Sequence, residues 1–354
     1  MERFQNIKNG INSAQNIRLV FPENPDNDIL GAVLALNSVF RQLNKKVYLP
    51  TERLPQKIGG FGDGSKKRIA ITLNEDIDEI YYEKKRGHVD LNIIPKNNNF
   101  DTKNFSWELI ADGKEKPNTM DGSPDLIVIV GIARFSEIEE FLPTDEEELF
   151  ACTIVNIDKN PLNENYGDIN IVEKGLLSKI VSFLVKEMKD SDFKKDVFDF
   201  LLFGFFSQKH ISIKDVSAIK WLIGNGGTFD AYFEYKKQPK PIWAKYLELA
   251  VKNIFLQEDK EIIFSYLSIN NGNEEEIKNI LQVSKIFREW INPNAFFLSF
   301  KDGSITKTIF YSIDKSIVNR IKSEFEGNFK ENGGIIATKK EPRETMEELK
   351  EISF

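Results

Sequence analysis

The chain has 354 residues, enough for two domains of ordinary size, each with its own core. Its 41% hydrophobic and 29% charged content is that of a soluble globular protein, and a net charge of −7 excludes a surface that coats nucleic acid non-specifically, which needs an excess of Lys and Arg. A single cysteine excludes an intramolecular disulfide, and no window approaches the ~18 consecutive apolar residues of a membrane span. With no apolar signal core at Met1–Gln5, a cytoplasmic protein is expected.

In chain order, residues 16–21 (NIRLVF) form a short apolar run closed by Pro22, which predicts a strand. Glu23-Asn24-Pro25-Asp26-Asn27-Asp28 is an acidic turn, residues 29–40 carry a helical pattern, and residues 46–49 a second strand. Strand, turn, helix, strand is a βαβ opening and predicts a parallel sheet with a right-handed crossover. Residues 55–66 contain four glycines and read as a loop. Residues 68–74, 76–82 and 89–94 alternate and predict inserted antiparallel strands over about 68–94. Residues 125–130 (DLIVIV) and 153–157 (TIVNI) are continuous apolar runs that suit central strands covered on both faces.

Helices are predicted over 175–187 and 196–206, the second nearly all apolar and therefore buried. Gly224-Asn225-Gly226-Gly227, followed by Pro239 and Pro241, marks a linker. Further helices are predicted over 243–255, 274–290 and 316–325, with strands over 261–267, 296–300 and 305–312, the last two a hairpin about Asp302-Gly303. The Lys- and Glu-rich tail at 341–351 reads as a solvated helix. The fold class is therefore α/β. A doubly wound, mostly parallel domain covers 1–215, a linker 216–235, and a smaller mixed α/β domain 236–354.

Several blocks, in order, carry a resemblance. Pro22 to Gly31 (PENPDNDILG) is similar to a turn of the form H-x-N-P-D-x-D-A-x-G. Ser123-Pro124-Asp125 leads into an apolar strand. Ile157-Asp158-Lys159-Asn160-Pro161, with Tyr166-Gly167-Asp168, resembles I-D-H-H-P-x-x-x-x-F-G-D. Leu201 to Gln208 resembles a helix ending in G-x-x-T-D, and Gly333-Gly334-Ile335-Ile336-Ala337 stands where a second domain would carry G-G-H-x-x-A-A-G. Together the blocks span nearly the whole chain and resemble the DHH phosphoesterase superfamily, nearest its branch of nano-RNases and pAp phosphatases. The resemblance implies a DHH domain with an associated substrate-binding domain. It also implies hydrolysis of phosphoesters by two divalent ions, usually manganese, that activate a water.

Carried over residue by residue, the resemblance is degenerate. The first histidine is Pro22, the aspartate ending the second strand is Gly131, the paired histidines are Lys159 and Asn160, and the last aspartate is Gln208. Asp26, Asp28 and Asp158 remain, a set that holds at most one Mn or Mg ion weakly. Lys159 beside them is expected to neutralise part of the cluster without a metal. The spacing of Asp26 and Asp28 suits a helix cap and first-turn acid equally well. In the second domain Gly333, Gly334 and Ser312 keep their places and, with Asn160, make up the implied substrate contacts. An Arg-Ser pair is reduced to Tyr311-Ser312 and the loop histidine to Ile335.

The remaining signals are weaker. Cys152 sits among apolar neighbours and reads as a buried thiol. His210 follows the fourth block and is a candidate for the cleft, whereas His88 sits in a hairpin turn beside Gly87. The glycine run at 224–227 follows a helix rather than a strand, so it is no phosphate loop. The reading is a phosphoesterase-like protein impaired in catalysis that binds a nucleotide, a short oligonucleotide or a protein partner. The alternatives are an altered but active phosphoesterase and an assembly role for the inserted strands. No membrane partner is expected, and a homodimer is left open.

Overall fold

The computed structural model describes residues 2–50, 53–55, 67–73, 77–85, 88–95, 105–111, 123–143, 145–188, 192–268 and 274–352. They fall into two units, Met1–Leu54 with Met120–Phe354, and Pro55–Thr119. The larger opens with α1 (Glu2–Ser13), β1 (Asn16–Val20), α2 (Asn27–Gln42) and β2 (Lys46–Tyr48). In the smaller unit, β3 (Lys67–Leu73) pairs antiparallel with β6 (Phe105–Ala111), and β4 (Ile77–Lys85) with β5 (His88–Pro95). The antiparallel insertion thus extends beyond 68–94 to a strand at 105–111, where Phe105, Trp107 and Leu109 alternate with Ser106 and Glu108. The glycine-rich stretch 56–66 and the turn at Gly87 lie outside the described residues.

The larger unit resumes with β7 (Leu126–Val130), α3 (Glu146–Ala151), β8 (Thr153–Asp158), β9 (Ile169–Val172), α4 (Leu177–Glu187) and α5 (Lys195–Phe206). Its first sheet has the order β2-β1-β7-β8-β9, with every pairing parallel. The LIVIV run of β7 is wholly buried, with helix α2 packed on one face of it and α4 on the adjoining β8. Val20, Ile127, Ile129, Cys152 and Ile154 meet Ile132, Ile138 and Leu149 on the other face. Helices α2 and α5 cross at two glycines of the recognised blocks. A Cβ on Gly31 would stand 2.6 Å from the Phe200 carbonyl oxygen, and one on Gly204 would collide with Ser178 Oγ. No larger residue lets the helices approach this closely.

The stretch 216–235, expected as a linker, holds most of α6 (Ile213–Gly224) and α7 (Asp230–Tyr235). A capping box starts α6: Lys214 N–H donates to Ser212 Oγ, and Ser212 N–H donates to the Asp215 carboxylate. Val216, Ile219, Leu222 and Ile223 recur at helical spacing and are buried. The glycines end this helix rather than begin a flexible segment.

The second sheet and the helices along its chain comprise α8 (Ile242–Lys252), β10 (Phe255–Gln257), β11 (Ile262–Leu267), α9 (Glu274–Trp290), β12 (Ala295–Asp302), β13 (Ile305–Ser312), α10 (Lys315–Glu324), β14 (Gly327–Lys330), β15 (Gly333–Thr338) and α11 (Pro342–Ile352). Its order is β10-β11-β12-β13-β15-β14. Strands β11 and β12 are parallel and joined through α9; the other pairs are antiparallel. The turn at Gly303 (φ 63°) closes the β12–β13 hairpin as its sequence predicts. Helix α11 is not simply solvated. Thr345, Met346 and Leu349 are buried against a core that includes Phe264, Phe297 and Phe310, Lys350 lays its ammonium over the Phe255 ring, and Arg343, Glu344 and Glu347 are exposed. The protein is thus α/β, with a parallel five-stranded sheet and a second, mixed sheet. Among the described residues no helix is long and apolar enough to cross a membrane.

Candidate functional site

The acidic turn after β1 and the loop after β8 emerge at the carboxyl ends of two parallel strands that flank β7, on the edge where open α/β sheets place their ligands. Asp26 caps α2, with Ile29 N–H donating to its Oδ1 at 2.8 Å. Asp28, in the first turn, is completely buried. Its carboxylate reaches a different helix: Leu177 N–H donates to Oδ2 and Ser178 N–H to Oδ1, both at 2.9 Å. Asp28 therefore satisfies backbone donors at the start of α4, which has no cap of its own. The cap reading of these aspartates is realised, on two helices at once.

Lys159 follows β8, and its Nζ lies 2.9 Å from Asp26 Oδ2 and 3.0 Å from Asp28 Oδ2. Burial alone would lower the ammonium's pKa, but Asp28 and Asp26 outweigh it and hold it above the usual lysine value. Asp158 is 3% exposed and turns elsewhere. Its Oδ1 accepts Lys159 N–H at 2.7 Å and its Oδ2 accepts Asn163 Nδ2 at 2.7 Å. Asn163 also donates to the Ile132 carbonyl at 3.0 Å and accepts from Asn156 Nδ2 at 2.7 Å. The Tyr166 hydroxyl donates to the same Ile132 carbonyl at 2.8 Å. Asn163 escapes sequence reasoning because its importance comes from the buried carboxylate it holds. Asp168 of the third block accepts Ile154 N–H at 2.8 Å, a structural contact at the edge of β8.

Of the expected site residues, Asp26, Asp28 and Lys159 meet directly, and Asp158 joins them through the Lys159 backbone. Asn160 closes a local turn, its Oδ1 accepting Leu162 N–H at 3.0 Å. Ser312 is buried, its hydroxyl bonded to Asp314 N–H at 3.0 Å and Asp314 carbonyl at 3.1 Å. Gly333 faces Tyr311 in the β13–β15 ladder. A Cβ there would run into the Phe310 carbonyl, and one on Gly334 into the Asn328 carbonyl. Those glycines are demanded by close strand contact. Beside Tyr311 stands Arg288 of α9, an exposed residue whose guanidinium lies 5.6 Å from the Tyr311 ring and which no motif singles out. His210 does not join the cluster through its ring: its Nδ1 lies 2.9 Å from the Glu289 carbonyl oxygen. Gln208 folds back onto the Gly204 carbonyl at 3.2 Å.

The divalent ions that the resemblance implies do not fit this donor set. Among the described residues no three His, Cys, Asp or Glu side chains are grouped to hold a metal. The point shared by Asp26 and Asp28 belongs to an ammonium, and Asp158 is bonded instead to the Lys159 backbone N–H and to Asn163. Gly131, where an aspartate would stand, has φ 74° and a Cβ position 3.0 Å from Ile29 Cδ1, so a carboxylate there would be strained.

No protein-family model matches the chain, and no curated protein matches its sequence. Solved structures give a loose likeness. An exopolyphosphatase-related protein from Bacteroides fragilis is 16% identical, with TM-score 0.43 over 99% of this chain and 95% of that one. A Methanococcus jannaschii protein assigned as a family II inorganic pyrophosphatase is 13% identical, with TM-score 0.32 over 95% of this chain and 99% of that one. RecJ from Thermus thermophilus, solved with Mn2+, is 10% identical, with TM-score 0.31 over 99% of this chain and 53% of that one.

Proposed function

We propose that the chain is a DHH-type phosphoesterase scaffold that binds a nucleotide or short oligonucleotide without hydrolysing it. The observation that carries the loss of hydrolysis is the Lys159 ammonium bound to Asp26 and to the fully buried Asp28. Metal-dependent hydrolysis needs a bound water whose pKa falls from about 15.7 to about 7. An ammonium carries one charge, offers donors alone and has no coordination position for a water. It satisfies the carboxylates and generates no nucleophile.

One ammonium among three carboxylates leaves the cluster net negative, so a ligand's phosphate is held elsewhere. Arg288 supplies that contact. It is exposed beside Tyr311, which faces Gly333 across the ladder, and a guanidinium grips phosphate bidentately. The test is calorimetric titration with pAp and with a 5′-phosphorylated dinucleotide in EDTA, beside turnover assays in manganese. Saturable binding without turnover is expected, weakened about tenfold by Arg288→Ala, the loss of roughly one charge-assisted contact. Absence of binding refutes the ligand. Manganese-dependent turnover that Asp26→Asn with Asp158→Asn abolishes refutes the loss of hydrolysis.

A further inference from the structure

We infer that the Lys159 ammonium is the built-in cation of the Asp26–Asp28 pair, and that removing it converts the pair into a weak divalent-cation site. The inference deepens the reading above, sharing its Lys159 contacts, but it does not depend on which ligand the protein binds.

The lysine is aimed by its surroundings. Its backbone N–H is held by Asp158, Asp158 is held by Asn163, and Asn163 by the Ile132 carbonyl and Asn156. The chain therefore leaves β8 in a fixed direction, toward the two carboxylates. Asp28 cannot turn away from the ammonium, because both its oxygens accept N–H groups of α4. Asp26 has more freedom, being 54% exposed and bonded to the backbone through its other oxygen. One carboxylate is thus rigid and the other adjustable, both reaching a single point at 2.9 and 3.0 Å.

A cation at that point adds to the two backbone donors of α4 in compensating a carboxylate removed from water, and it offsets the repulsion between Asp28 and Asp26. Oxygen ligands approach Ca2+ at about 2.3–2.6 Å, so with the ammonium gone Asp26 closes the gap by moving roughly half an ångström. Two carboxylates and water give an affinity on the order of millimolar. The protein escapes that dependence because its cation is covalently attached and cannot be diluted or chelated away.

The experiment compares wild type, Lys159→Met and Lys159→Met with Asp28→Asn, all full length, by thermal unfolding in EDTA and in CaCl2 or MnCl2, with Mn2+ binding read by loss of the free-ion EPR signal. Wild type is expected to show no metal response. Lys159→Met should melt lower in EDTA and regain about 2–4 °C at a metal concentration roughly ten times its dissociation constant. The double variant, which lacks both charges, should melt above Lys159→Met and ignore metal. Should Lys159→Met fail to fold, a folded double variant still supports the inference, and one that fails equally overturns it. Metal binding by wild type equal to that of Lys159→Met overturns it, as does a folded Lys159→Met that ignores both ions. Those results concern cation binding alone, whereas the proposed function fails through turnover or absent nucleotide binding.

Discussion

Gly204 touches the site without belonging to it. Its missing side chain leaves room for Ser178, which donates its N–H to Asp28 Oδ1 and its hydroxyl to the Asp28 carbonyl. Gly204→Ala should therefore cost stability, by about 1–3 kcal/mol for an overpacked contact. It should also loosen the hold on Asp28. Urea unfolding measures the first effect, and an unchanged midpoint would show that Ser178 has room to move. Gly31 and Gly204 are legible in the sequence as motif glycines, but the reason for Gly31 is the crossing of α2 on α5 and that for Gly204 is the close approach of Ser178 on α4. Cys152 behaves as its neighbours predict: burial pushes its thiol up to about 11, which leaves it protonated at neutral pH. Asn163 and Arg288 were not legible. Each gains its place from a residue on another element, and a lone polar residue in a loop or on an exposed helix face gives no periodic signal.

Among the elements, α11 shows how composition can conceal packing. Its Lys and Glu content suggests a free tail, yet Met346 and Leu349, with Thr345, form a narrow apolar stripe on the second sheet. Leu349→Ala should destabilise the protein by about 2–5 kcal/mol, the range for a buried leucine truncation. Chemical denaturation tests this, and a loss below about 0.5 kcal/mol would mean that the helix is only loosely docked. Helices α6 and α7 make the converse point. Glycines and prolines around them suggest a linker, but the capping box at Ser212 and the helically spaced buried residues Val216, Ile219, Leu222 and Ile223 specify helix. Strands β9 and β14 are four residues each, too short for alternation to distinguish them from loop.

At the scale of the whole molecule, α7 and the turn before it form a charged and aromatic junction with α5, α8 and α9. Lys195 pairs with Asp199 and Asp230, and Lys240 with Asp230 and Glu248, so α5, α7 and α8 are tied through alternating charges. Thr228 N–H donates to Asp199 and Phe229 N–H to Glu248. Phe206 packs on Phe229, Tyr232, Trp243 and Trp290 beside them. Burial pulls the ammonium pKa values of Lys159, Lys195 and Lys240 downward, but carboxylate partners hold all three above the usual value. A lysine whose folded pKa is raised contributes stability that is complete below its unfolded value, about 10.5, and is lost as pH rises through the folded value. The melting temperature should thus fall at pH values above about 10.5 as these pairs deprotonate. Calorimetry between pH 8 and 11.5 reads this, and a melting temperature that stays level to the upper limit would contradict it.

Local pattern was enough for the sequence to determine the α/β class, the parallel core strands, and the absence of imidazoles from the recognised blocks, because periodicity and residue identity are properties of short segments. The destination of the Lys159 ammonium was decided only by the tertiary structure. Its partners Asp26 and Asp28 lie 133 and 131 positions away, and the helix that fixes Asp28 begins 149 positions beyond it. A carboxylate in a sequence is equally a cap, a metal ligand or half of an ion pair. Which it becomes depends on the groups that the fold brings within about 3 Å, and on whether burial leaves its charge any other compensation.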